Sequence, residues 1–151
     1  MSVLHALLRR SMSLYPPFLG AGVRVRTLSR HPLVFESSMR LRWWNRNYVG
    51  TQFGGSLYAM ADPFFMLILI DALGPDFVVW DKAATIRFRR PGRGTVAARF
   101  EIPAGRVEEI RSEALAAGRA EPVFTALVVD RAGETVAEID KTISVRPRAA
   151  R

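Results

Sequence analysis

Ser56-Leu57-Tyr58-Ala59-Met60-Ala61-Asp62-Pro63-Phe64-Phe65-Met66-Leu67-Ile68-Leu69-Ile70-Asp71-Ala72-Leu73 is the stretch whose reading decides the fold. It is apolar almost all the way round and stops at Gly74-Pro75, the usual end signal of a helix. Its length approaches that of a membrane span, but Asp62 and Pro63 fall in its middle third, and each is costly in lipid. A helix that is apolar on every side belongs inside a protein. The rest of the chain must therefore cover it.

The flanking sequence has the period of strands. Upstream, Val23 and Val25 alternate with Arg24 and Arg26, and over 34–44 Met39, Leu41 and Trp43 alternate with Arg40, Arg42 and Trp44. This predicts two strands, the second with an apolar row on the core face. Downstream, Ala84, Ile86 and Phe88 alternate with Thr85, Arg87 and Arg89; the turn Pro91-Gly92-Arg93-Gly94 follows, then Val96, Ala98, Phe100 and Ile102. That pattern predicts an antiparallel hairpin. Residues 107–117 read as a small helix ending at Gly118, and 123–130 and 135–145 flank Arg131-Ala132-Gly133-Glu134 as a second hairpin. Strands without crossover helices between them pair antiparallel. The expected fold is α+β: a curved antiparallel sheet of about six strands wrapped round one central apolar helix, in a single domain over residues 1–151. Within an N-terminal segment of residues 1–20, Leu4, Leu7, Leu8 and Met12 give residues 4–14 one apolar face, which predicts a docking helix ending before Pro16-Pro17. Residues 146–151 are expected to fray. An open sheet leaves a strand edge to be covered, which predicts at least a homodimer.

Composition narrows the chemistry. The chain has 151 residues and no cysteine, so disulfides, thiolate metal sites and a cysteine nucleophile are excluded. Its two histidines, His5 and His31, both lie near the amino end, which argues against histidine metal sites and a Ser-His-Asp triad. No metal is expected. The net charge is +8, but only Lys82 and Lys141 among the 22 basic residues are lysine, and no aromatic-interleaved or helical basic motif accompanies the arginines. The excess therefore reads as a solvated surface, without nucleic acid or membrane as partner. No acidic residue precedes Glu36, a bias seen in mitochondrial presequences. Since Arg24, Arg26 and Arg30 fall in a strand pattern, a cytoplasmic protein is the expectation.

The densest information lies in Asn47-Tyr48-Val49-Gly50-Thr51-Gln52-Phe53-Gly54-Gly55-Ser56-Leu57 and the Ala61-Asp62 that follows. Gly54 and Gly55 at a helix entry let a ligand approach free backbone N–H groups, an oxyanion-hole arrangement; the same pair also suits a tight turn. Asp62 has two readings as well. Set among Met60, Ala61, Phe64 and Phe65 it is a desolvated carboxylate prepared as a base or nucleophile. Followed by Pro63, it is a helix cap.

Asn47, Gly50, Gly54-Gly55, Leu57 and Ala61-Asp62, with Ala83-Ala84-Thr85-Ile86-Arg87-Phe88-Arg89-Arg90-Pro91-Gly92 after the helix, resemble the signature of hotdog-fold acyl-CoA thioesterases of the phenylacetyl-CoA thioesterase type. Within that type the sequence is most similar to a bacterial subgroup classed as a domain of unknown function. The resemblance implies a thioester hydrolase in which Asp62 acts as base or nucleophile, the Gly54 N–H polarises the thioester carbonyl and Asn47 orients the site. It implies an acyl-CoA substrate, whose coenzyme A moiety is part of the substrate and no separate cofactor, and a homodimer or dimer of dimers. Gly55 and Phe53 would line the substrate site, with Phe53 standing where the family usually has His. Asp81-Lys82 stands where the family commonly places a small hydroxyl residue. Lys82 would pair with Asp62 of a neighbouring subunit, hold the thioester oxygen, or form a surface pair with Asp81. Arg87, Arg89, Arg90 and Arg93 suit the phosphates of coenzyme A, or are solvated strand-end arginines. The absent His leaves a second reading, a hotdog module that binds acyl-CoA or a lipid-like ligand without turnover.

Overall fold

The computed structural model describes residues 12–148. Most of the expected docking helix, His5 and the last three residues lie outside that range. Where residues 12–20 are described, the chain makes a single 3-10 turn, Met12–Leu14, and then the helix α1, Pro16–Ala21. The expected break at Pro16-Pro17 is instead a helix start, because proline in the first turn gives up no hydrogen bond there. Docking falls to Phe18, which is buried and stacks on Phe64 at 6.1 Å between ring centroids.

Among the described residues, six strands form one antiparallel sheet in the order β1-β2-β4-β5-β6-β3. They are β1 Val23–Arg30, β2 Leu33–Arg40, β3 Phe77–Phe88, β4 Thr95–Phe100, β5 Val123–Asp130 and β6 Thr135–Pro147. The sheet wraps the apolar segment, which is the core helix of a hotdog arrangement. That segment is not one helix. It runs as α2, Gly54–Ala59, and α3, Phe64–Leu73, separated at residues 60–63. Pro63 supplies no N–H and disfavours helical backbone at Asp62, so the break falls on the pair that the sequence flagged. The Met60 carbonyl at the break accepts a 2.6 Å hydrogen bond from the buried Ser37 hydroxyl of β2. Just after it, Phe64 lies 5.2 Å from Phe35 and 4.5 Å from Phe100, anchoring α3 to two strands.

Two expectations fail, the first because pairing is non-local. β3 and β4 do not form a hairpin: β3 pairs with β6 along its length and takes one edge of the sheet, while β4 lies between β2 and β5. β2 ends at Arg40, so Trp43 and Trp44 continue no core row and are exposed on the connection that follows. The second hairpin, β5–β6, forms as expected around the turn 131–134. The helix after β4, α4, covers Ala104–Ala117 and closes on Gly118 in the left-handed conformation. β6 runs past residue 145, and the Arg148 N–H donates to the Asp76 carbonyl, so the first three residues of the expected frayed tail are held in place.

Candidate active site

The helix break turns Asp62 away from the apolar residues beside it. Met60, Ala61, Phe64 and Phe65 are buried in the core, whereas the Asp62 side chain keeps 48% exposure. The expected desolvated carboxylate is therefore a half-exposed one. Nor does it cap α3: Pro63 is the flanking residue, and no side chain caps that end among the described residues. Asp62 Oδ1 instead accepts two hydrogen bonds, from the Tyr58 hydroxyl at 2.6 Å and from Lys141 Nζ at 2.9 Å. Tyr58 lies one turn earlier on α2, where an i, i+4 pair shares a face.

Lys141, absent from the sequence-based site, is the residue that organises it. It belongs to the inward row of β6, Ala137, Ile139, Lys141, Ile143 and Val145, every member of which is buried. Its Nζ lies 3.1 Å from the Tyr58 hydroxyl, 3.2 Å from Asp81 Oδ1 and 5.1 Å from the centre of the Tyr58 ring. A signal for it existed: a lysine occupying an apolar phase of a period-two pattern. Burial alone pushes the Lys141 ammonium toward deprotonation, but hydrogen bonds to Asp62 and Tyr58 and the nearby carboxylate charges more than offset this, leaving its pKa above the ordinary lysine value. Asp81 is pushed up by burial, against the pull of Lys141. Tyr58 is raised, first by burial and then by its hydrogen bond to Asp62.

The glycine pair opens α2, with Phe53 as the flanking residue. As its first residues, Gly54 and Gly55 have N–H groups with no acceptor inside the helix. Both are closely covered. A Cβ on Gly54 would meet the tip of Phe88 at 2.9 Å, and one on Gly55 would meet the Phe53 ring at 2.6 Å. Asn47 spends its side chain inside the preceding loop: Nδ2 donates to the Thr51 hydroxyl and the Gln52 carbonyl, and Oδ1 accepts from the Thr51 N–H. It shapes the approach to the glycines. Gln52, five residues after Asn47, is buried and joins the two sequence blocks. Its N–H donates to the Gly92 carbonyl at 2.9 Å and its Nε2 to the Gly94 carbonyl at 3.2 Å. A cleft of about 570 Å³ opens beside the glycines, walled by Trp44, Arg46, Phe53, Gly55 and Ala59 together with α1.

The other expected residues are dispersed. Within the chain Lys82 pairs with neither Asp62 nor Asp81; its Nζ lies 2.7 Å from Glu121. Arg87 bridges Glu138 and Asp140, Arg89 reaches Glu138, and Arg90 reaches Glu134 at 2.8 Å. The arginine cluster is thus largely matched by acids of β6 and its turn. Among the described residues, no three His, Asp or Glu side chains are grouped to hold a metal ion.

The family described as Domain of unknown function (DUF4442) matches residues 5–145. No curated protein matches the chain in sequence. Among solved structures, a Pseudomonas aeruginosa protein of unknown function, described as a probable thioesterase, is similar with 25% identity and a TM-score of 0.81, over 98% of this chain and 99% of its own. A Haemophilus influenzae thioesterase shares the fold at 15% identity and a TM-score of 0.66, over 97% of this chain and 92% of its own. So does the Escherichia coli PaaI protein from the phenylacetic acid degradation operon, at 16% identity and a TM-score of 0.58, over 97% and 91%.

Proposed function

The chain belongs to the DUF4442 family, and from that premise we propose that it is a cytoplasmic acyl-CoA thioesterase that works as a homodimer or a dimer of dimers. The observation that carries this reading is the carboxylate at the helix break. Asp62 is tied down through one oxygen, keeps a half-exposed side chain, and lies in the hotdog fold shared with proteins described as thioesterases. Its Oδ2 activates water or attacks the thioester carbonyl, and the tetrahedral oxyanion is held by the Gly54 N–H. Asn47 acts by holding the loop that leads to Gly54. Phe53 and Gly55 line the cleft in which the acyl group rests against Trp44. The exposed Arg90 and Arg93 after β3 take phosphates of the coenzyme A moiety, which requires only that Arg90 release an exposed ion pair.

The separation of the two groups supports a dimer. Gly54 opens α2 and Asp62 lies in the break beyond the far end of that helix, whereas a reacting carbonyl must sit within about 3 Å of both groups. In the proposed dimer the Gly54 of one copy works with the Asp62 of another. The β3 edge, with Val78, Trp80 and Phe88 exposed, is the surface for that pairing.

A second reading is favoured by Phe53, whose ring packs on Gly55 where the resembling enzymes carry His: a module that holds acyl-CoA or a lipid-like ligand without turnover. Free-thiol release across a panel of acyl-CoA chain lengths decides between the two. Release by the wild-type protein supports the enzyme; binding of the esters with no release supports the module.

A further inference from the structure

Lys141 poses a question that the proposed function leaves open. It is 1% exposed in a row whose other members are Ala137, Ile139, Ile143 and Val145, flanked across the sheet by Phe124 of β5 and Ala84 of β3. Burying an ammonium there is costly, and replacing a buried ion pair by well-packed apolar groups is often neutral or stabilising. The fold would be served equally well by apolar side chains in place of the whole cluster. The charged and titratable groups facing Lys141 are Tyr58 of α2, Asp62 at the helix break and Asp81 of β3. Lys141 and Tyr58 both donate to the same atom, Asp62 Oδ1, and among the described residues Oδ2 accepts no hydrogen bond.

We infer that Lys141 and Tyr58 are positioning residues that clamp Asp62 by Oδ1 so that Oδ2 is presented to the reacting atoms, with Asp81 holding Lys141 from behind. This rests on the reading of Asp62 as the reacting carboxylate. The clamp removes the side-chain rotation that would otherwise carry Oδ2 off line, and a misplacement of about 1 Å is enough to cost on the order of a hundredfold in rate. Two donors on one oxygen also separate the roles of the carboxylate: one atom is saturated, the other reacts.

The test compares Lys141→Met and Tyr58→Phe with wild type in acyl-CoA hydrolysis and in thermal melting. Lys141→Met is expected to lower kcat of the folded protein by about 10- to 100-fold with KM within about twofold, and to lower Tm as well, because Asp62 and Asp81 lose their cation. Tyr58→Phe is expected to lower kcat by a smaller factor in the same pattern. A merely structural lysine would show a fallen Tm with kcat intact, and folded Lys141→Met with wild-type kcat overturns the inference. A second readout needs no turnover: the ¹³Cε resonance of Lys141 is titrated in wild type and in Asp62→Asn. The clamp predicts that the ammonium loses its proton at lower pH in Asp62→Asn; an unchanged titration refutes it. Should wild type hydrolyse no acyl-CoA, the enzyme reading falls by itself and the titration still decides the clamp. Should Lys141→Met fail to fold, Tyr58→Phe and the titration carry the test.

Discussion

Asp140 and Lys141 are neighbours on β6 that face opposite sides of the sheet. Asp140 points outward, where with Glu138 it meets Arg87 and Arg89 of β3 in an exposed ladder of ion pairs. Lys141 points inward, where it meets Asp62 and Asp81 in the lining of the core. The same strand pair therefore carries charges in two environments. Outside, water screens the pairs and each contributes little. Inside, every charge needs its partner, and only apolar side chains in place of the whole set would serve the fold as well. Charge that the fold does not require, next to a half-open carboxylate, points to chemistry.

The largest effect expected from this contrast comes from reversing the inward charge. Lys141→Glu places a third carboxylate beside Asp62 and Asp81, and the loss, about 3–5 kcal/mol, should leave little cooperative melting by circular dichroism. If that variant melts like wild type, the inner cluster is not the buried network described.

The contrast extends to glycines. A Cβ at Gly92 would lie 2.8 Å from Cγ of Gln52 and 3.1 Å from Val136, both buried, with no space to yield. Gly92→Ala should lose about 1–3 kcal/mol, read as a fall in Tm. Gly54→Ala meets only the tip of the exposed Phe88, which can swing aside, so its Tm should stay near wild type while hydrolysis suffers.

Alkaline titration sharpens the same point. The folded Lys141 holds its proton more tightly than the unfolded chain, whose lysine has the ordinary value of 10.5. As pH rises past that value, the unfolded state gives up its proton first and is favoured, so this contribution is complete below it and is lost through the higher folded value. Tyr58, also raised, acts in the same sense. Wild type should lose Tm more steeply than Lys141→Met above the ordinary lysine value, and parallel curves would argue against the coupling. The smallest effect is expected outside: Arg87→Gln should barely move Tm at moderate salt.

What the sequence disclosed follows the same division between local and distant. The core segment, the β5–β6 hairpin and the Gly118 stop were legible because a helix period, a tight turn and a C-terminal glycine are written in neighbouring residues. The helix break was half legible: Asp62-Pro63 offers a helix start or a capped broken turn as readily as a reacting carboxylate, and neighbouring residues do not choose between them. The place of β3 was not legible. It is an edge strand exposed along most of its length, so its alternation says nothing of its partner, and that partner, β6, lies far along the chain. Asp62, Asn47 and the glycines could be proposed from the sequence as a site because they share one short segment. Lys141 was missed because its link to Asp62 spans 79 positions, and because a basic residue in a strand with acidic neighbours reads as surface.

The central claim is that the carboxylate held at the helix break performs thioester hydrolysis. Its most direct test is the rate of free-thiol release from acyl-CoA by Asp62→Asn beside wild type, with the fold of both checked by circular dichroism. Asn keeps an oxygen to accept from Tyr58 and Lys141 but cannot serve as base or nucleophile, so the account predicts a folded protein whose rate falls by about a hundredfold or more. Full activity in a folded Asp62→Asn protein would contradict it.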